Sequence, residues 1–153
     1  PLQDREAQRS SQLEGTFATP EQLMLFELDP VMPVSAEDPA NAAREVINYG
    51  RALRAGLQML HQDRPFSKFL IRSLHSYLLQ GVRGSDSNPG SFREGQVVIG
   101  SPPRFVPPPA FYLTERLDNF EQFAQRDERL YDPLVDAFIM PAQQPMALHE
   151  RVL

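Results

Sequence analysis

The chain has 153 residues, 41% of them hydrophobic, with 15 basic against 20 acidic side chains for a formal charge of −5, which fits one folded domain with a core of its own. The absence of cysteine excludes disulfides and thiolate metal sites and is compatible with a reducing, cytoplasmic setting. The acidic balance argues against nucleic-acid and anionic-membrane partners, which require clustered Lys and Arg.

No run of eighteen apolar residues occurs, so no membrane span is expected. The chain opens Pro1-Leu2-Gln3-Asp4-Arg5, without an initiator Met or a signal-peptide pattern, and reads as trimmed at its front. The first predicted helix covers residues 4–13 and closes at Gly15, since Gly accepts the left-handed C′ conformation. The second opens on Thr19-Pro20-Glu21-Gln22, with Thr as N-cap, Pro in the first turn and an early acid, and spans 20–28. The third and longest spans 41–61, with Val46, Tyr49, Leu53, Leu57 and Leu60 recurring on one face. The fourth spans 67–79, with Leu70, Ile71, Leu74, Tyr77 and Leu78 inward, and Gly81 ends it. A fifth spans 109–125 with Leu113, Leu117, Phe120 and Phe123 or Ala124 inward, and a sixth, short one spans 133–140.

Residues 84–109 do not read as helix. Gln96-Val97-Val98-Ile99 and Arg104-Phe105-Val106 are β-prone runs around Gly100-Ser101-Pro102-Pro103, which predicts a hairpin leaning on the helices. The fold class is therefore mainly α, a helical bundle with one short β-hairpin. No internal repeat interrupts it.

Catalytic chemistry is hard to assemble. His61, His75 and His149 lack metal-motif spacing, and His75 reads as a packed or partly exposed helix residue. No P-loop and no nucleophile elbow occurs, so neither catalytic residues nor metal ligands are assigned. Two features exceed a structural reading. Ser10 and Glu14 share a helix face, and a carboxylate at a helix C-terminus invites a cationic partner, arginine above all. The segment between Gly81 and Pro109 is long for a connecting loop, and long ordered loops usually carry function.

Together these residues resemble the Fic family of protein adenylyltransferases. Ser10-Ser11-Gln12-Leu13-Glu14-Gly15 is similar to that family's inhibitory-helix motif, [ST]-x-x-x-E-[GN]. Arg44-Glu45-Val46-Ile47-Asn48-Tyr49, Leu78-Leu79-Gln80-Gly81-Val82-Arg83-Gly84, Pro89-Gly90-Ser91-Phe92-Arg93 and Arg104-Phe105-Val106-Pro107-Pro108-Pro109 follow in the family's order. The resemblance covers about residues 3–140 and implies a partial Fic domain over 1–140. It implies an inhibitory motif at Ser10, Glu14 and Gly15, and a target-docking flap at Gln96, Val97, Val98, Ile99 and Gly100.

The departure comes after Met140. There the resemblance calls for H-P-F-x-[DE]-G-N-G-R, whereas the chain reads Pro141-Ala142-Gln143-Gln144-Pro145 and ends in a divergent tail, 141–153. In the family, the motif histidine takes a proton from a target hydroxyl, which attacks the α-phosphate of ATP while the acidic residue holds Mg²⁺. Without these parts the chain is expected to be inactive and to hold neither cofactor, a truncated form of an auto-inhibited adenylyltransferase. The alternative is a non-catalytic interaction module using the flap as a binding edge. A protein target is implied by the resemblance, and the missing partner helices predict exposed faces at Leu117, Phe120, Leu134, Val135, Phe138 and Ile139 and a homodimer through them.

Overall fold

The computed structural model describes residues 2–13, 15–35, 37–62, 64–82, 88–98, 102, 104–126, 132 and 135. Five α-helices lie among them: α1 (Leu2–Leu13), α2 (Pro20–Leu28), α3 (Ala40–His61), α4 (Lys68–Leu78) and α5 (Leu113–Ala124), the last led in by a 3₁₀ turn at Ala110–Tyr112. Helix α3 is the spine and packs against α1, α2 and α4.

Each start has a local cause. At α2 the Thr19 side chain accepts the Gln22 N–H at 3.2 Å and Gln22 Oε1 accepts the Thr19 N–H at 2.8 Å, a reciprocal cap that satisfies two orphan donors. Helix α3 follows Pro39, and Asp38 accepts the N–H groups of Val34 and Ala40, both at 2.9 Å. Ser67 caps α4 through the Leu70 N–H at 3.3 Å, and Glu121 of α5 accepts the Lys68 N–H at 2.9 Å. The Lys68 ammonium also pairs with Asp118 and lies 3.5 Å from Glu121, so one residue ties the start of α4 to α5.

The core has two parts. Ala7, Ala18, Ala43 and Val46 form one, with Leu23, Phe26, Ala42 and Tyr49 against it. Leu113 and Leu117 form the other, with Phe92 and Ala110, and Phe120 meets Phe66 edge-on at 5.8 Å. The expected apolar face of α3 is corrected in part. Leu60 is exposed, while Ala43, Gly50, Ala52 and Gly56 are buried. Small residues let the neighbouring helices approach closely: a methyl group on Gly50 would sit 3.8 Å from the Ala7 methyl, and one on Gly56 would sit 3.2 Å from Leu74. Two further corrections apply. Tyr77 is exposed rather than inward, and Leu117 and Phe120, expected to be uncovered, are 3% and 2% exposed. Phe92 and Ala110 of the 3₁₀ turn pack against the cluster of Leu113 and Leu117, and Phe66 against Phe120.

No β-strand occurs among the described residues. Phe92 and Phe105 make isolated bridges, and Gln96, Val97 and Val98 belong to no ladder. Prolines at 102, 107, 108 and 109 have no N–H to donate, and side chains join the two limbs instead, as described below. Ile99 and Gly100 lie outside the described residues. So do the sixth helix, apart from exposed Val135, and the tail.

Candidate functional site

Helix α1 ends in a fully bonded turn. The Gly15 N–H donates to the Gln12 carbonyl at 3.1 Å and the Thr16 N–H to the Ser11 carbonyl at 2.8 Å, the paired 5→2 and 6→1 bonds of a Schellman closure. Gly15 has φ +84°, the left-handed region that glycine enters without a Cβ penalty. Thr16 then donates from Oγ1 to Glu45 Oε2 of α3 at 2.8 Å. Ser10, on the predicted motif, donates from Oγ to Glu6 Oε1 one turn back at 2.9 Å, and Ser11 beside it is buried. Glu14 itself lies outside the described residues. The chain on either side of it is therefore anchored twice, by the closing turn and by α3.

The end of α4 is bound to α3 in the same manner. Asn48, fully buried, donates from Nδ2 to the Leu78 and Gln80 carbonyls at 3.1 and 2.9 Å. Arg44 Nε donates to the Gln80 carbonyl at 3.0 Å. Gly81 has φ +65°, and a methyl group there would fall 2.6 Å from the Arg44 guanidinium. These contacts satisfy carbonyls that a helix end leaves orphaned.

Gly90, at the start of the predicted flap region, is bound to α4. Gly90 donates its N–H to His75 Nδ1 at 2.9 Å and accepts from Arg72 Nε at 2.6 Å. His75 is thus a packed helix residue, acting as an acceptor at Nδ1. Gly90 has φ +79°, and a Cβ would meet Ser76 Oγ at 2.2 Å and the Arg72 carbonyl at 2.9 Å, so only glycine fits. Arg72 lies over the Phe92 ring at 5.9 Å.

Beyond Phe92 a buried arginine holds the two limbs together. Arg93, 3% exposed, donates to the Gly95 carbonyl at 2.9 Å and to the Pro108 carbonyl. Burial pushes its guanidinium below the usual arginine range. Gln96 Nε2 donates to the Val97 and Pro107 carbonyls, both at 3.0 Å, and Pro107 is fully buried. Val98 is exposed. The side chains of Arg93 and Gln96 fix the base of the loop. Among the described residues no hydrogen bond joins this loop to the end of α1.

A separate open cleft of about 270 Å³ lies between α1, α2 and α3. Ala7, Leu23, Val46 and Gly50 contribute its apolar surface, and Arg5, Arg54 and Glu27 its charge. No group of three or more metal-binding side chains occurs among the described residues, and no helix among them is long and apolar enough to cross a membrane.

Glu45, Asn48 and Arg93 carry no sequence signal as individual contributors. Each acts across a gap of many residues or through backbone carbonyls, which no local pattern encodes. The signal that was present lies in the segments Arg44–Tyr49 and Pro89–Arg93, which carry the family resemblance as blocks.

The family model described as Fic/DOC family N-terminal matches residues 1–58, from α1 through most of α3. No curated protein matches the chain at a significant level.

Proposed function

With a Fic/DOC-type N-terminal region in residues 1–58 as the premise, we propose that the chain supplies the regulatory helix, its platform and the target-docking loop of a Fic-type protein adenylyltransferase, and that it transfers no AMP by itself. The observation that carries this reading is the coincidence of that match with the Ser10–Glu14–Gly15 spacing at the end of α1. In this reading Glu14 is the inhibitory carboxylate. A helix C-terminus is electrostatically negative, so a carboxylate there gains most by pairing with a cation, and in the resemblance that cation is the arginine closing H-P-F-x-[DE]-G-N-G-R. The chain contains no such motif, so Glu14 here has nothing of that kind to block. The turn at Gly15 and the Thr16–Glu45 bond favour the role, because they anchor the chain that follows the carboxylate.

The loop from Phe92 to Pro108 is the target-docking element in the same reading. Its base is clamped by Arg93 and Gln96, while the backbone of Gln96–Val98 enters no ladder. In this reading the remaining main-chain groups of the loop are offered to a strand-like target segment. ATP and Mg²⁺ would be held by the motif's backbone cradle and acidic residue, and neither is expected to bind this chain tightly.

Incubation with labelled ATP, Mg²⁺ and a cell lysate tests the reading. No labelled protein is expected above background, either with the natural chain or with Glu14→Gly. Labelling that scales with the chain would refute it.

A further inference from the structure

Helix α2 is apolar around most of its circumference, yet none of its residues is buried. Leu23 and Phe26 turn inward and are half-buried against Ala7, Ala18, Ala43 and Val46. On the opposite side Met24, Leu25 and Leu28 are 64%, 66% and 74% exposed. With Glu21 they stand at positions i, i+3, i+4 and i+7, the stripe by which one helix ordinarily meets another. A helix that is hydrophobic on both sides is normally covered on both. Here the outer side is open, and exposed Phe17, Val31, Met32 and Val34 flank it in sequence.

The charged residues of α2 and of the segments that flank it in sequence have one sign. Between Ser10 and Ala43 the sequence has no Lys, Arg or His, and it has Glu14, Glu21, Glu27, Asp29, Glu37 and Asp38. Arg44, just beyond, is already engaged by the Gln80 carbonyl and the Met32 sulfur. Arg5 and Arg54 line the cleft on the inner flank, which Met24 and Glu27 share. Away from that cleft the stripe, Leu25 and Leu28 above all, is apolar, with the acidic residues of α2 and its flanks beside it in sequence.

We propose that the outer face of α2, formed by Glu21, Met24, Leu25 and Leu28, docks a basic amphipathic helix of a partner protein. Bulky apolar residues of that helix would cover Met24, Leu25 and Leu28, and flanking Lys or Arg would face Glu21 and Asp29. A second copy of this chain is a poorer occupant, because a two-fold contact sets the same acidic residues against themselves. An anionic lipid surface is repelled for the same reason.

The test uses the full chain and a labelled Leu–Lys amphipathic helix peptide, followed by fluorescence anisotropy. A matching Leu–Glu peptide and an oligolysine of equal charge serve as comparators. The Leu–Lys peptide should bind at least about tenfold more tightly than either. Leu25→Gln with Leu28→Gln should weaken it by about tenfold or more while leaving the helical circular dichroism unchanged, since both side chains are already in solvent. Glu21→Gln with Asp29→Asn should weaken it several-fold and flatten its salt dependence. Equal affinity of the Leu25/Leu28 variant, or equal binding of oligolysine, would overturn the proposal. So would a concentration-dependent dimer in sedimentation that the same double substitution abolishes, or vesicle binding that it abolishes.

Discussion

Thr16 Oγ1 donates to Glu45 Oε2 at 2.8 Å, joining the residue that closes α1 to the second turn of α3 across 29 positions of sequence. The contact ties the residue that follows the closing turn of α1 to α3. Thr16→Val removes the hydroxyl while keeping the shape. It should cost about 1–2 kcal/mol in denaturant unfolding, with faster amide exchange at Gly15 and Thr16. Unchanged exchange there would mean the turn holds without α3.

The turn itself depends on Gly15. At φ +84° a Cβ is strained although nothing lies within 4 Å of it. Gly15→Ala should cost roughly 1–2 kcal/mol. Gly90→Ala combines the same kind of strain with a clash against Ser76 and the Arg72 carbonyl, and should cost about 2–4 kcal/mol. Equal effects at the two positions would show that the contact of Gly90 with α4 adds nothing.

Arg93 carries the base of the 92–108 loop. Arg93→Ala leaves the Gly95 and Pro108 carbonyls without this donor and should destabilise the chain by about 1–3 kcal/mol. Limited proteolysis should then cut within 94–106 well before the helices. Resistance equal to that of the natural chain would move the clamp elsewhere, to Gln96.

Stability should fall at both ends of the pH scale for separate reasons. The N–H groups of Val34 and Ala40 hold the Asp38 carboxyl below its usual 3.8, so its contribution is complete above that value and disappears as pH falls through the lower folded value. The hydrogen bond to Asp118, aided by Glu121, holds Lys68 above its usual 10.5. That contribution is complete below 10.5 and is lost as pH rises through the higher folded value. Asp38→Asn should flatten the acid limb of a melting-temperature profile, and Lys68→Met should flatten the alkaline limb. A variant that left its own limb unchanged would contradict the assignment.

The helices were legible because their punctuation is local. Thr19-Pro20 starts α2, Gly15 stops α1, and apolar spacing places α3, α4 and α5 within a few residues. The inward faces were less legible. Large residues such as Leu60 and Tyr77 signalled burial by type, but α3 is closed on two sides by Ala43, Gly50, Ala52 and Gly56, whose small size reads as neutral in a pattern. Among the described residues the β-prone runs around 96–106 form no strand, because β propensity reports fit to a ladder and prolines remove its donors. At the candidate site, Gly15 stands as expected, while Ser10 bonds to Glu6, a choice between helix-face neighbours that spacing alone does not make. The long-range holders Glu45, Asn48 and Arg93 became visible only in three dimensions.

The central claim is that this chain provides an inhibitory helix and a docking loop to a catalytic motif it does not contain. The most direct measurement is AMP transfer by the chain joined after Met140 to the catalytic-motif segment of a Fic relative, with and without Glu14→Gly, beside the chain alone. The account predicts no transfer by the chain alone, weak transfer by the joined protein, and at least about a tenfold rise on Glu14→Gly. Transfer by the chain alone, or a joined enzyme whose rate ignores Glu14, would contradict it.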